Sequence, residues 1–180
     1  MEPKIEIIKQ EPKIEILTPE QWQEYREIRL KALKTDPTAF GESYEQEKEK
    51  SEQKIISHLS ATNYRTYIAR IGNKIVALAE YSLTLPAHVE HLAEIHSVFT
   101  DPDFRGQKIG PKLIKQMLDD LHKNQKTSRI TLSVGSEQKA AIKMYDELGF
   151  VQFGIGRKEL KVGGEYYDQV QMELIFEDKL

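Results

Sequence analysis

The sequence contains no cysteine, and that single gap removes disulfide bonds, a thiolate nucleophile and cysteine-ligated metal sites together. It fits a reducing compartment, so a cytoplasmic location is the expectation. No stretch approaches the ~20 consecutive apolar residues of a membrane-spanning helix, and the first residues lack the apolar core of a secretory signal. No membrane partner is expected. Neither sign of charge dominates: 26 Lys and Arg stand against 29 Asp and Glu, a formal net charge of -3, with the two signs interspersed. That pattern gives no reason to expect a nucleic-acid partner. A Gly-x-x-x-x-Gly-Lys-Ser/Thr loop is also missing, which argues against a P-loop nucleotide-binding module.

What is present fits one domain, since a chain of 180 residues buries roughly 70% of its unfolded surface. The hexapeptide EPKIEI occurs twice, at Glu2–Ile7 and Glu11–Ile16. Two copies are too few for a solenoid. Residues 1–10 are therefore read as an N-terminal extension and 11–180 as the domain, with the second copy as its first strand. Thr18-Pro19-Glu20 then opens a helix to Lys34, with Trp22, Tyr25, Ile28, Arg29, Leu30 and Leu33 on one side. Glu45–Ser60 reads as a second helix whose early charges face water. Tyr64–Ile71 and Lys74–Leu85 read as strands joined by a tight turn at Gly72-Asn73. A strand at His91–Thr100, a helix after Gly110, a strand at Ser128–Val134, a helix at Glu137–Leu148 and a hairpin around Gly163-Gly164 complete the series. The expected fold is α/β, with a mixed central sheet of six to seven strands flanked by four helices in the order β-αα-βββ-α-β-α-ββ.

The run DPDFRGQKIG, Asp101–Gly110, joins a strand to a helix marked by Leu113, Ile114, Met117, Leu118 and Leu121 at intervals of three and four. One Pro, two Gly and two cations place a turn there. Free amides at a helix start attract anions, each charge contact contributing roughly 0.3–1 kcal/mol. A phosphorylated ligand is the expectation.

Arg105–Gly110, RGQKIG, resembles the Arg-x-x-Gly-x-Gly loop of the GNAT superfamily of acetyl-CoA-dependent N-acetyltransferases. Ser136–Phe150, SEQKAAIKMYDELGF, resembles the family's Asn-x-x-Ala-x-x-x-Tyr-x-x-x-Gly-Phe helix through Ala141, Tyr145, Gly149 and Phe150. Arg26–Glu47 is similar to the opening helix and loop of many bacterial members. Two sequence positions depart from the pattern: Lys108 stands where the family has a middle glycine, and Gln138 where it has Asn. The resemblance implies acetyl-CoA as cosubstrate and an amine as acceptor. It implies that the pyrophosphate meets Arg105, Gly106, Gln107, Lys108, Ile109 and Gly110. It also implies that the pantetheine arm runs along the backbone from Val98 through Phe99 to Thr100, and that Gln138 and Tyr145 approach the cofactor. Tyr145 holds the family's general-acid position.

Acetyl transfer needs a neutral amine, yet a lysine-like amine of pKa about 10.4 is neutral only about once in 2,500 molecules at pH 7. Glu94, on the strand before the turn, is the candidate base. Strict alternation would put Glu94, His96, Val98 and Thr100 on one face and Ala93, Ile95, Ser97 and Phe99 on the other, making His96 a competing base. His88, His91 and His96 lie among Glu90 and Glu94, but their spacing matches neither a helical His pair nor a zinc motif, and no metal is expected. The functional expectation is direct acetyl transfer from acetyl-CoA to a primary amine. A cofactor-binding sensor or interaction module of the same fold, with weak turnover, is the alternative raised by Lys108 and Gln138. A homodimer through the last hairpin is a further expectation.

Overall fold

Alternating isoleucine and charge makes the second EPKIEI copy a short edge strand, β1 (Lys13–Ile16). Ile14 turns to a core packed on one face of the sheet, and Glu15 turns to the other, where it meets Arg70 at 3.1 Å. The computed structural model describes residues 11–179; the first EPKIEI copy lies outside them. Seven strands form one sheet in the order β1-β2-β3-β4-β5-β7-β6, with β2 (Tyr64–Ile71), β3 (Lys74–Leu83), β4 (Leu92–Thr100), β5 (Arg129–Gly135), β6 (Val151–Val162) and β7 (Glu165–Ile175). Only the central pair β4 and β5 is parallel. The sheet is therefore mixed, as expected.

Five α-helices occur among the described residues: α1 (Trp22–Thr35), α2 (Tyr44–Lys48), α3 (Glu52–Ser60), α4 (Ile109–Lys123) and α5 (Lys139–Glu147). The helix expected over Glu45–Ser60 is two helices. Ser51 ends the first by capping the second, its hydroxyl accepting from the Lys54 amide, because a serine side chain competes with the helical backbone. The charges in the first part do not all face water. Glu47 is fully buried, paired with Lys50 at 2.9 Å and with the equally buried Arg29 of α1 at 3.5 Å.

Two hydrophobic clusters lie on opposite faces of the sheet. On one face α4 lays down Leu113, Ile114, Met117 and Leu121, all fully buried, with Tyr145 and Phe150 beside them. Each such side chain contributes roughly 1.5–3 kcal/mol by leaving water. On the other face Tyr25, Ile28 and Leu33 of α1 pack with Ile55 of α3 against Ile68, Leu78 and Phe99.

The expected alternation along β4 fails at one residue. Leu78 of β3 faces Phe99, but Glu80 faces His96, so β4 carries an extra residue there. Ser97, at φ 58°, absorbs it as a bulge. Ala93 and Ile95 join the α4 face, whereas Phe99 joins the α1 face with Glu94 and His96. Val98 packs on the α4 side instead.

Candidate functional site

The site begins where two strands part. β4 pairs with β5 only from Leu92–Arg129 to Ile95–Leu132, while β5 stays with β7 as far as Gly135 and β4 stays with β3 as far as Thr100. A gap therefore opens beyond Ile95. The Asp101 amide donates to the Val76 carbonyl of β3 at 2.9 Å, so alternation turns the Thr100 and Val98 amides the other way, into the gap. A cleft of about 650 Å³ follows it, lined by Val98, Phe99 and Thr100.

The turn after β4 closes one end of the cleft. Its first residue, Asp101, is buried, accepts from the Asp103 amide at 3.3 Å and is paired with Lys31 and Lys74. Burial pushes the Asp101 carboxyl up, but the bonds from Lys31, Lys74 and the Asp103 amide outweigh it and leave the group below its ordinary value. Gly106 takes φ 77°. Lys108, at φ 59° and ψ 24°, is left-handed and stands at the N-cap of α4 without a side-chain cap. The first helical bond is from the Lys112 amide to Lys108; Pro111 has no amide, and the Ile109 and Gly110 donors have no partner within the helix. Gly110 relieves a tight approach between α4 and its neighbours. A Cβ there would meet Thr100 Oγ1 at 3.3 Å and Met144 Sδ at 3.5 Å.

Arg105, Gly106, Lys108, Ile109 and Gly110 all line this cleft. Gln107 is exposed and does not. The donor set fits a phosphorylated ligand: two amides at a helix start, two further amides on a strand edge, and the cations Arg105 and Lys108.

The opposite wall is α5. Gln138, at its N-cap, lines the cleft without capping the helix. Tyr145 lines the inner end, 4% exposed and edge-on to Phe150 at 5.7 Å between ring centres. Burial alone raises its phenol pKa, so the group keeps its proton at any ordinary pH. Asp36, which pairs with Arg105, and Lys139, the first residue of α5, also line the cleft. Sequence reading assigned neither. Lys139 was within reach of the motif at Ser136–Phe150, whereas Asp36 lies too far along the chain from Arg105 for any local pattern to join them.

Glu94 and His96 do not line the cleft; they stand on the other sheet face, beside the mouth of the gap. Glu94 is exposed, between Ser82 and Thr131 in register. His96 is half-buried against Glu80 of β3. Glu80 is itself buried and accepts from His58 Nε2 at 2.7 Å and from the Thr66 hydroxyl at 2.8 Å. Burial pushes the Glu80 carboxyl up, yet the His58 bond and the positive charges of His58, Arg29 and His96 more than offset it, and its pKa falls to about 2. Sequence reading missed both Glu80 and His58, which no motif spacing connects. Among the described residues, no three metal-ligating side chains converge, and no helix is long and apolar enough to cross a membrane.

Comparison with known proteins gives the same outline. Over 86 residues the chain is 35% identical to an uncharacterized N-acetyltransferase of Methanocaldococcus jannaschii, covering 47% of this chain and 38% of that protein. Over 106 residues it is 30% identical to the N-alpha-acetyltransferase RimI of Mycobacterium tuberculosis, covering 58% and 63%. The matched stretch is thus less than two thirds of either relative. The ribosomal-protein-S18-alanine N-acetyltransferase of Escherichia coli superposes with a TM-score of 0.70 at 23% identity, covering 92% of this chain and 94% of that one. A putative acetyltransferase, yncA, of Salmonella typhimurium, solved with acetyl-CoA, superposes with a TM-score of 0.78 at 16% identity, covering 93% and 95%. These two likenesses show the fold. Residues 19–150 match the acetyltransferase (GNAT) family, and because that stretch takes in every wall of the cleft from α1 to Phe150, the chain belongs to this family.

Proposed function

We propose that residues 11–180 work as one N-acetyltransferase unit, moving the acetyl group of acetyl-CoA to a primary amine by direct attack. The observation that carries this reading is the parting of β4 from β5, with the Val98 and Thr100 amides turned into the gap. Acetyl-CoA supplies the thioester carbonyl. The Ile109 and Gly110 amides, Arg105 and Lys108 hold the pyrophosphate, and Gln138 lies against the arm that follows. The Val98 amide donates where negative charge develops on the carbonyl oxygen, an interaction worth about 3 kcal/mol in comparable sites. Tyr145 gives its proton to the departing sulfur; burial keeps that proton in place until it is used.

Glu94, exposed beside the mouth of the gap, draws in the cationic amine and takes its first proton, directly or through a water. Relatives named as N-alpha- and ribosomal-protein-alanine acetyltransferases favour a peptide α-amine as acceptor. Such an amine, with pKa near 7.8, is already neutral in about one molecule in seven at pH 7, which lightens the task of Glu94.

The test is release of free thiol from acetyl-CoA with a panel of peptide α-amines, lysine-like amines and polyamines. Turnover with one class, dependent on amine concentration, supports the reading. Tight acetyl-CoA binding with no thiol release across the panel would leave a cofactor-binding module in its place.

A further inference from the structure

The edge strand β6 carries a construction that neither the cofactor cleft nor the core requires. Its pairing with β7 runs to Gly156–Gln169 and resumes at Leu160–Tyr167, so Arg157, Lys158 and Glu159 stand opposite Asp168 alone. The interruption is fastened in place. The Lys158 amide donates to Asp168 Oδ1 at 2.8 Å, and Lys158 is held at φ 52°, a strained conformation for a residue with a Cβ. A bulge serves to blunt an exposed edge, but the extra residue at Phe153 already does so on this strand. What the longer bulge adds is the direction of one side chain.

Glu159 folds back along β6. A Cβ on Gly156 would fall 1.5 Å from Glu159 Oε2, and one on Gly154 would fall 2.9 Å from Gln171 Oε1, so both polar side chains lie over a strip that has no side chains of its own. Gly154 and Gly156 stand in register with Gln171 and Gln169 of β7, and these with Ser133 and Gly135 of β5. Met172 and Val170, the alternate residues of β7, belong to the α4 core, which puts the glycine strip and the carboxylate on the opposite face. Glu94 stands on that face, beside the mouth of the gap. There α1 and α3 pack against β2, β3 and β4 through Ile68, Leu78 and Phe99. From β5 to β6 the floor instead shows Thr131, Ser133, Gln171 and Glu173, all exposed or half-buried, and the turn Pro37–Ala39 comes against β5 and β6 to border it.

The carboxylates of this floor differ. Glu173 is paired with Arg129 at 2.6 Å. Glu159 has, among the described residues, only the Gln171 amide nitrogen, 3.4 and 3.5 Å from its two oxygens, a loose hold that a cation would improve on. Its neighbours Lys158 and Lys161 turn instead to the Tyr166 ring, 5.6 and 5.1 Å from its centre.

We propose that Glu159 is a specificity-determining residue for the acceptor, binding the side-chain cation of a lysine or arginine that directly follows the acetylated residue of a peptide. The inference rests on the acetyl-transfer reading and adds the second charge to it. β6 lies two strand spacings from β5, about 10 Å. A peptide whose α-amine enters the gap and whose chain crosses the floor advances about 3.4 Å per extended residue. Its second residue therefore stands short of β6, and a long cationic stem closes the remaining distance. An alanine at that place does not reach, and a glutamate meets like charge.

Three C-terminally amidated peptides, Ala-Arg-Ala, Ala-Ala-Ala and Ala-Glu-Ala, test the assignment through kcat/KM for thiol release; arginine is used because its guanidinium is not itself an acceptor. The wild type should prefer Ala-Arg-Ala to Ala-Ala-Ala by about fivefold and should use Ala-Glu-Ala least. In Glu159→Gln the preference should vanish, and in Glu159→Lys the glutamate peptide should come first. Gly156→Ala keeps the charge but puts a methyl group where Oε2 lies; the backbone there is not left-handed, so the alanine is tolerated, and the preference should fall because the carboxylate is displaced. Equal use of the three peptides by the wild type, or an unchanged preference in Glu159→Gln, overturns the inference and leaves acetyl transfer standing. Absence of thiol release from every peptide counts against the acetyl-transfer reading, and binding then decides the inference by itself. Calorimetric titration of Ala-Arg-Ala into the CoA-loaded protein should give a Kd about fivefold weaker in Glu159→Gln than in the wild type; equal affinities, or no binding to either protein, overturn it.

Discussion

Arg105 donates through Nε to the Thr100 carbonyl oxygen at 3.0 Å and reaches Asp36 with its other end. The last residue of β4, the turn and the end of α1 are thereby joined by one guanidinium. A lysine supplies the charge but not the fork. Arg105→Lys should raise the KM for acetyl-CoA about tenfold, the equivalent of about 1.4 kcal/mol, with kcat within about twofold. Steady-state kinetics at saturating amine decides it, and a fall in kcat at constant KM would contradict the positional role.

Lys108 sits in a left-handed conformation that costs a non-glycine residue about 1 kcal/mol. Lys108→Gly should therefore raise the melting temperature by about 2–4 °C. It should also weaken acetyl-CoA binding by about threefold, because a cation facing the cleft is lost. Calorimetric titration separates the two effects. Tighter binding in the variant would mean that the lysine contributes strain and nothing else.

Tyr145→Phe keeps the ring against Phe150 and removes only the hydroxyl. Stability should stay within about 1 kcal/mol, and acetyl-CoA affinity should change little, while kcat falls about 100-fold. Undiminished turnover would falsify the general-acid role.

Glu80 ties stability to acid. Its folded pKa of about 2 lies below the ordinary carboxylate value of 4.5, so its contribution is complete above pH 4.5 and is lost as pH falls through 2. Asp101 acts in the same direction. Urea titrations at pH 7, 5 and 3 should show wild-type stability falling across this window and Glu80→Gln falling less. Parallel curves for the two proteins would show that Glu80 is not a source of the slope.

The parts legible in the sequence were those specified over short range. The spacing of Leu113, Ile114, Met117 and Leu121 set the α4 face, and Gly72-Asn73 and Gly163-Gly164 marked their hairpins. The turn at Arg105–Gly110 and the helix around Tyr145 were visible because amide donors and aromatic packing need those residues at fixed offsets. The Ser97 bulge was not visible. A glycine or asparagine would have hinted at a positive φ, whereas serine is unremarkable in a strand. Glu47 read as a solvated charge because its partner, Arg29, comes from another helix. The Glu80 network joins three strands and a helix, and no single segment carries its pattern.

The extra residue at Ser97 separates two chemistries along one strand. Before it, Glu94 and His96 present their side chains to the α1 face; after it, Val98 presents its side chain to α4 and its amide to the gap. Pairing the same residues without the bulge would impose strict alternation and carry every later residue of β4 to the opposite face. Phe99 would then leave the α1 core and Val98 would enter it. One inserted residue thus acts as a phase marker in the strand, and sequence changes that preserve composition but move the bulge by one position should abolish function more completely than loss of any single side chain nearby.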